Sequence, residues 1–293
     1  MDTQSAGNRN YSTISPSAKD LLLMKGLTGI PYAKEAASLM TAPEPYEPQL
    51  AGQTPHYWGR VLHFEARYWS IDQLLQGLPV RNILELSSGF SFRGLDMVKK
   101  PGIHYIDTDL PEVIATKMSF VDALPHPASG PGSVLELIPL NALDANAFYD
   151  VTKRFPEGPL AIVNEGLLIY LDTSEKQVLC QTIRGVLQQR GGYWITADIY
   201  IRQAYADVQG KIDDKLSRFL EEHQIRRNMF ESPEQAEAFF KEQGLTIDRE
   251  ATIDPATLSA LPHLLKALPE EQQQALNDAG KMQLTWRLKL ADG

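Results

Sequence analysis

The chain has 293 residues and carries 28 Lys and Arg against 37 Asp and Glu, for a net charge of −9. With 43% hydrophobic and 22% charged residues it has the composition of a globular protein with a sizeable core, and the acidic balance speaks against nucleic acid or an anionic membrane as partner. The single cysteine, Cys180, excludes an internal disulfide and a thiolate zinc site, and no apolar run approaches the roughly 18 residues of a membrane span.

The polar opening Met1-Asp2-Thr3-Gln4-Ser5 lacks the charged-then-apolar pattern of a secretion signal, so the expected location is the cytoplasm. In chain order, the first ten residues read as frayed, and helices are predicted over 17–24 and 32–40. Prolines 43, 45 and 48 then forbid a helix and favour an extended linker. From His56 to Gln76, Trp58, Leu62, Tyr68, Trp69, Ile71, Leu74 and Leu75 recur at helical spacing, with Gly77 as the stop. A regular alternation follows: strands at 82–86, 103–106, 134–140, 160–164 and 193–199, separated by helices near 93–99, 110–124, 145–154 and 174–190. Strand–helix alternation at this spacing implies a parallel sheet covered on both faces.

Residues 201–243 break the rhythm, with a charged helix predicted over 211–222 and a second helix opened by Ser232-Pro233-Glu234-Gln235. Strands return at 245–252 and 282–290, separated by helical stretches at 257–267 and 270–279, which suggests an antiparallel closing pair at one sheet edge. The expected organisation is an N-terminal helical extension (1–55), an α/β core (56–200), a helical lid insertion (201–243) and a C-terminal part of the core sheet (244–293).

An open parallel sheet binds ligands beyond the carboxyl ends of its strands, which directs attention to the residue after each strand. The first strand ends in Glu85-Leu86-Ser87-Ser88-Gly89, a turn of small residues that lets backbone approach a ligand; equally, a strand-to-helix turn simply needs a glycine. It does not match the dinucleotide fingerprint G-x-G-x-x-G. The second strand ends in Asp107-Thr108-Asp109, with Asp107 lying 18 residues after Gly89. An acid about 20 residues past a glycine turn is placed to hold vicinal ribose hydroxyls, although one of the two can instead cap the next helix. The third strand leads to Asn141-Ala142, an amide and a small apolar residue suited to an adenine edge and face. The fourth leads to Asn164-Glu165-Gly166, a carboxylate aimed at the cleft or engaged in a structural ion pair. The six histidines show no metal-ligand spacing, and no P-loop or G-x-S-x-G elbow is present. No metal is expected, and Cys180 reads as a small core residue.

These motifs fit together. Arg67-Tyr-Trp-Ser-Ile-Asp, Glu85-Leu-Ser-Ser-Gly-Phe-Ser-Phe-Arg93, Tyr105-Ile-Asp-Thr-Asp-Leu-Pro-Glu-Val-Ile-Ala-Thr-Lys117 and Val163-Asn-Glu-Gly-Leu-Leu-Ile-Tyr-Leu171 resemble the leucine carboxyl methyltransferase family, which includes bacterial polyketide O-methyltransferases. The resemblance runs from Ser12 to about Leu171. It implies a Rossmann-like class I methyltransferase fold, with a mostly parallel seven-stranded sheet, and S-adenosylmethionine as cofactor, leaving S-adenosylhomocysteine as product. It further implies that Arg67 pairs with the methionine carboxylate and that Ser87 to Gly89 pass under the methionine and ribose. Asp107 and Asp109 then stand at the ribose, Asn141 and Ala142 at the adenine, and Glu165 near the methionine amino group, with Glu85, Thr108 and Gly166 completing the expected cofactor set. The chain departs from the family pattern at Ser87, where Gly is usual, at Ser91, where Asp is usual, and at Asp107, where Glu is usual.

No residue declares itself a catalytic base. Tyr170, Tyr200 and Arg202 follow cleft-facing strands and are the candidates to orient an acceptor. The first reading is O-methylation of a hydroxyl or carboxyl of a small molecule, the second carboxyl methylation of a protein C-terminus. A non-catalytic cofactor-binding or partner-binding relative stays open because of Ser87 and Ser91. A nicotinamide dehydrogenase is a poor fit without the phosphate-binding fingerprint.

Overall fold

The structure, a computed structural model, describes residues 15–47, 50, 53–203, 225–273 and 282–291. The expected frayed start, the helix over 211–222, Pro48 and most of the stretch 270–279 lie outside the described residues.

Seven strands form one sheet in the order β3-β2-β1-β4-β5-β7-β6. They are β1 (Asn82–Leu86), β2 (His104–Asp109), β3 (Val134–Pro139), β4 (Leu160–Asn164), β5 (Gly192–Tyr200), β6 (Leu245–Glu250) and β7 (Gln283–Leu290). The first five pair in parallel, and β7 runs antiparallel between β5 and β6. This strand order, with one reversed strand, makes a mostly parallel, Rossmann-like sheet. The order reverses between β1 and β4, the switch point beyond whose strand ends an open α/β sheet takes its ligand. β1 and β4 are buried at every position, because a central parallel strand covered on both faces has no polar side to alternate.

One face of the sheet is packed by α6 (Ala145–Thr152), α7 (Thr173–Arg190) and α9 (Pro233–Glu242), and the other by α3 (Pro55–Leu75) and α4 (Arg93–Met97). The helix boundaries follow local chemistry. Thr54 accepts the N–H of Tyr57 ahead of Pro55, which stands first in α3, where its missing N–H costs nothing. α7 is capped by Asp172 in a reciprocal box with Glu175, and Thr173 and Ser174 fall inside the first turn. A carboxylate one residue earlier satisfies the free N–H groups of that turn and favours the positive end of the helix dipole. Gly191 ends α7 at φ +70°, a conformation that glycine adopts without a Cβ penalty. Cys180 is fully buried in α7, as read from sequence. The helical stretch read at 257–267 is instead a short 3₁₀ turn, Pro255–Thr257, followed by α10 (Leu261–Ala267). Glu65 on α3 links to this segment by accepting Ser259 N–H, Ser259 Oγ–H and Ala260 N–H at 2.6–2.9 Å.

Two N-terminal helices, α1 (Ser15–Lys25) and α2 (Ala33–Thr41), complete the described N-terminal part. Leu22 of α1 packs with Ala36, Ala37, Phe92 and Leu95, which brings α1 across the β1 turn. Of the segment expected as a lid, the described part contains α8 (Ile225–Asn228) and α9, and Ser232 caps α9 by accepting the Gln235 N–H.

Candidate functional site

The switch point between β1 and β4 is built from backbone turns first. Ser87 and Gly89 both adopt left-handed backbone, at φ +48° and +50°. For serine that geometry carries a strain of about 1–2 kcal/mol; the resemblance flagged this residue as the place where glycine is usual. The turn is tied down by Ser88 N–H donating to Thr108 O at 2.9 Å and by Asp109, whose carboxylate accepts Gly89 N–H and Leu110 N–H at 2.7 Å each. Burial raises the Asp109 pKa, with the two N–H groups pulling the other way. Asp109 thus stands at the mouth of the turn, partly exposed, with two of its carboxylate lone-pair sites accounted for.

Asp107 is placed differently. It is only 1% exposed and lies beneath the turn against Gly94, where an added Cβ would come within 3.1 Å of its Oδ2. Lys117 Nζ sits 3.0 Å from Asp107 Oδ1, off the direction of a hydrogen bond, and donates to Ser88 Oγ at 3.0 Å. Burial first, with the neighbouring Glu85 adding to it, pushes the Asp107 pKa up to about 7 against the pull of Lys117. Thr108 is also interior, donating to Glu85 O at 2.8 Å across the β1–β2 pair. Glu85 is fully buried and accepts from Arg93 Nη1 at 2.5 Å and Tyr105 Oη at 2.6 Å. Of the acidic pair, therefore, only Asp109 stands at the strand end, and Glu85, Asp107 and Thr108 brace the turn from below.

At the end of β4 the chemistry is a buried ion cluster. Glu165 Oε1 accepts from Lys25 Nζ at 2.6 Å and from Arg67 Nε and Nη2 at 3.2 and 3.1 Å. Arg93 Nη2 approaches its Oε2 at 3.5 Å. Burial opposes the Glu165 charge, but the three cations outweigh it and hold its pKa below the ordinary carboxylate range. Lys25 shows the converse: burial lowers its pKa, with Glu165 only partly restoring it. Arg67 keeps its charge despite burial, because Tyr200 and Glu165 support it. Arg93 is shared between Glu85 and Asp72, the latter at 2.7 Å. Glu165 Oε1 thus meets two cations directly, Lys25 and Arg67, while Arg93 is held mainly by Glu85 and Asp72.

The turn after β4 is shaped by a residue the sequence reading passed over. Asp198, 2% exposed, accepts the N–H groups of Gly166, Leu167 and Leu168 at 2.6–3.1 Å and the Asn164 amide at 2.6 Å. Gly166 has φ +83°, and a Cβ there would stand 3.5 Å from Arg67 Nη2.

The remaining predicted residues separate. Ala142 is buried, while Asn141 is exposed and its Oδ1 accepts Leu143 N–H at 3.0 Å, a local turn. Tyr200 joins the ion cluster: its hydroxyl receives Arg67 Nη1 at 2.7 Å and meets His63 Nε2 at 2.9 Å. Tyr170 packs with Ile169, Tyr200, Ile225 and Met229 in a small apolar cluster. Arg202 does not face this group. It donates to the carbonyls of Arg226, Arg227 and Met229 and pairs with Glu231 at 3.0 Å, so it is spent on the end of α8.

Sequence reading missed Lys25, His63 and Asp198. A signal existed for two of them. His63 lies one helical turn before Arg67 and so shares its face of α3, and Asp198 is a carboxylate inside an apolar strand, which demands partners. Lys25 reaches Glu165 across 140 residues of sequence, and no local pattern reports that. Among the described residues no group of three or more His, Cys, Asp or Glu is placed to hold a metal ion, and no helix is long and apolar enough to cross a membrane.

No protein-family model matches the chain, and no curated protein matches its sequence. Solved structures overlap it in part. One is LepI in complex with S-adenosylmethionine, at 12% identity and a TM-score of 0.44, covering 75% of this chain and 46% of that one. Another is the mitomycin 7-O-methyltransferase MmcR, at 11% identity and a TM-score of 0.44, covering 89% and 67%. A third is an S-adenosylmethionine-dependent methyltransferase from Anabaena variabilis, at 12% identity and a TM-score of 0.48, covering 81% and 93%. The chain spans less than half the length of LepI. Likenesses this distant carry no conclusion about substrate or chemistry, which rests on the residues described above.

Proposed function

We propose that this chain is an S-adenosylmethionine-dependent O-methyltransferase that methylates a hydroxyl or carboxyl oxygen of a small molecule. The observation that carries the reading is the convergence, at the switch point of the sheet, of the Ser87–Gly89 turn with Asp109 and of Lys25 and Arg67 around Glu165. An amino-acid end needs a cation for its carboxylate and an anion for its ammonium, and a ribose needs an acceptor for its hydroxyls. The chain supplies these as Lys25 with Arg67, as Glu165, and as Asp109. Ala142 supplies apolar surface for a base. The motifs around Arg67, Asp109 and Glu165 support kinship with leucine carboxyl methyltransferases.

When bound, the cofactor supplies an activated methyl on a sulfonium, so the protein's task is alignment. Arg67 and Lys25 fix one end of the ligand, and the β1 turn and Asp109 fix the ribose. The apolar group of Ile169, Tyr170, Ile225 and Met229 around Tyr200 supports an acceptor with an apolar body. A carboxylate acceptor needs no base; a hydroxyl acceptor gains from one.

The direct test is calorimetric titration with S-adenosylmethionine and S-adenosylhomocysteine, with a nicotinamide dinucleotide as control. Micromolar binding of both sulfur ligands and none of the dinucleotide is expected. Absence of binding by both sulfur ligands would overturn the reading and leave a partner-binding relative in its place.

A further inference from the structure

The contacts of Tyr200 and His63 lie outside the motifs above, and donor–acceptor accounting orders them. A guanidinium has five N–H donors and no acceptor. Arg67 spends Nε–H and one Nη2–H on Glu165 Oε1, and one Nη1–H on Tyr200 Oη at 2.7 Å. Tyr200 Oη therefore accepts from Arg67, and its own proton needs a different acceptor. His63 Nε2, at 2.9 Å, is the acceptor at hand, which places the imidazole proton on Nδ1. The donor chain runs from Arg67 to Tyr200 to His63. Among the described residues two N–H bonds of Arg67 stay unspent, one on each terminal nitrogen, and Gly166 keeps side-chain bulk away from Nη2.

We infer that His63 and Tyr200 are positioning residues of this site: His63 orients the Tyr200 hydroxyl, which pins the Arg67 guanidinium so that its two free N–H bonds stay aimed at the carboxylate of the bound ligand. The inference rests on the proposed cofactor reading. Two clamps on one guanidinium, Glu165 on one edge and Tyr200 on Nη1, remove its rotational freedom before the ligand arrives, and pre-organisation of that kind is realised as affinity. Nothing in the role requires His63 to exchange a proton, only to remain an acceptor.

The test compares S-adenosylmethionine with its decarboxylated analogue, which keeps the sulfonium, ribose and adenine but lacks the carboxylate. Calorimetry is run on wild type, Tyr200→Phe, His63→Leu and His63→Gln, with thermal melting to confirm that each is folded. Tyr200→Phe and His63→Leu should weaken S-adenosylmethionine about tenfold, the scale of one hydrogen bond to a charged group. His63→Gln should recover most of the loss, because its amide oxygen can take the Tyr200 proton. The decarboxylated ligand should bind all four proteins alike. Equal S-adenosylmethionine affinity across the four, or parallel losses for both ligands, would overturn the inference. If Tyr200→Phe fails to fold, the pair of His63 variants decides alone. Failure of the wild type to bind either ligand would instead overturn the cofactor reading itself.

Discussion

Glu165 is the residue whose removal the structure makes most consequential. In Glu165→Gln the side chain keeps its shape and an accepting oxygen but loses the charge that faces Lys25, Arg67 and, at 3.5 Å, Arg93. The Lys25 and Glu165 side chains are only 6% and 4% exposed, so water does little to replace the lost carboxylate. Breaking a buried pair by deleting one partner costs about 3–5 kcal/mol. Burial already lowers the Lys25 pKa, so that amine can shed its proton and relieve part of the strain, which places the expected loss at about 3 kcal/mol. Against a total stability of about 5–15 kcal/mol that is a large fraction, readable as a shift in urea midpoint at constant slope. The pH dependence has a definite sign. A carboxyl held below its ordinary range stabilises fully above the unfolded value of about 4.5 and loses that contribution as pH falls through the folded value. The gap between wild type and variant should therefore shrink below about pH 4.5, as wild type loses its carboxylate, and should also narrow as rising pH lets Lys25 of the variant shed its proton. A loss under about 1 kcal/mol at pH 7, the scale of an exposed pair, or a gap indifferent to acid, would refute the assignment of Glu165 as the hub of a buried cluster.

Ser87→Gly should raise stability by about 0.5–1 kcal/mol, the left-handed strain relieved less the extra freedom of the unfolded glycine, and thermal melting checks it. Asp109→Ala should weaken S-adenosylmethionine binding by more than about 1 kcal/mol, measured by calorimetry; unchanged affinity removes Asp109 from the ribose. His63 is held neutral, with desolvation first and then Arg67 pulling its pKa down to about 3. Its depressed value means that the associated stability is complete above the unfolded value of about 6.5 and declines as pH falls below it. In histidine NMR His63 should show no titration between pH 8 and 5, and a midpoint near 6.5 would contradict its half-buried place beside the Arg67 guanidinium.

The helical and strand periods were legible because each element reports itself locally. β1 and β4 stand where their short apolar runs, Ile83-Leu84 with Leu86 and Leu160-Ala161-Ile162-Val163, place them, since a strand covered on both faces has no solvent side to mark with alternating polar residues. The reversal of β7 was readable from the break in alternation before it. Legibility failed at contacts between distant segments. Asp107 and Asp109 are two residues apart in the same strand, yet the last carboxylate ends the sheet and the earlier one is roofed by the turn and Lys117. Arg202, beside Tyr200 in sequence, turns to the α8 carbonyls, because unpaired helix-end carbonyls are strong local acceptors.

The sequence by itself determined the element order, the parallel core, the β1 turn and the position of Asp109 and Glu165 at the ends of their strands, all of which follow from periodicity and from chemistry within a few residues, whereas Arg67, inside α3, was singled out by the family resemblance alone. Only the tertiary structure decided that Lys25 closes on Glu165, that His63 and Tyr200 hold Arg67, and that Glu85 and Asp107 are interior braces. The physical reason is that burial and ion pairing depend on which segments the sheet brings together, and a charged side chain carries no local mark of the partner that will neutralise it.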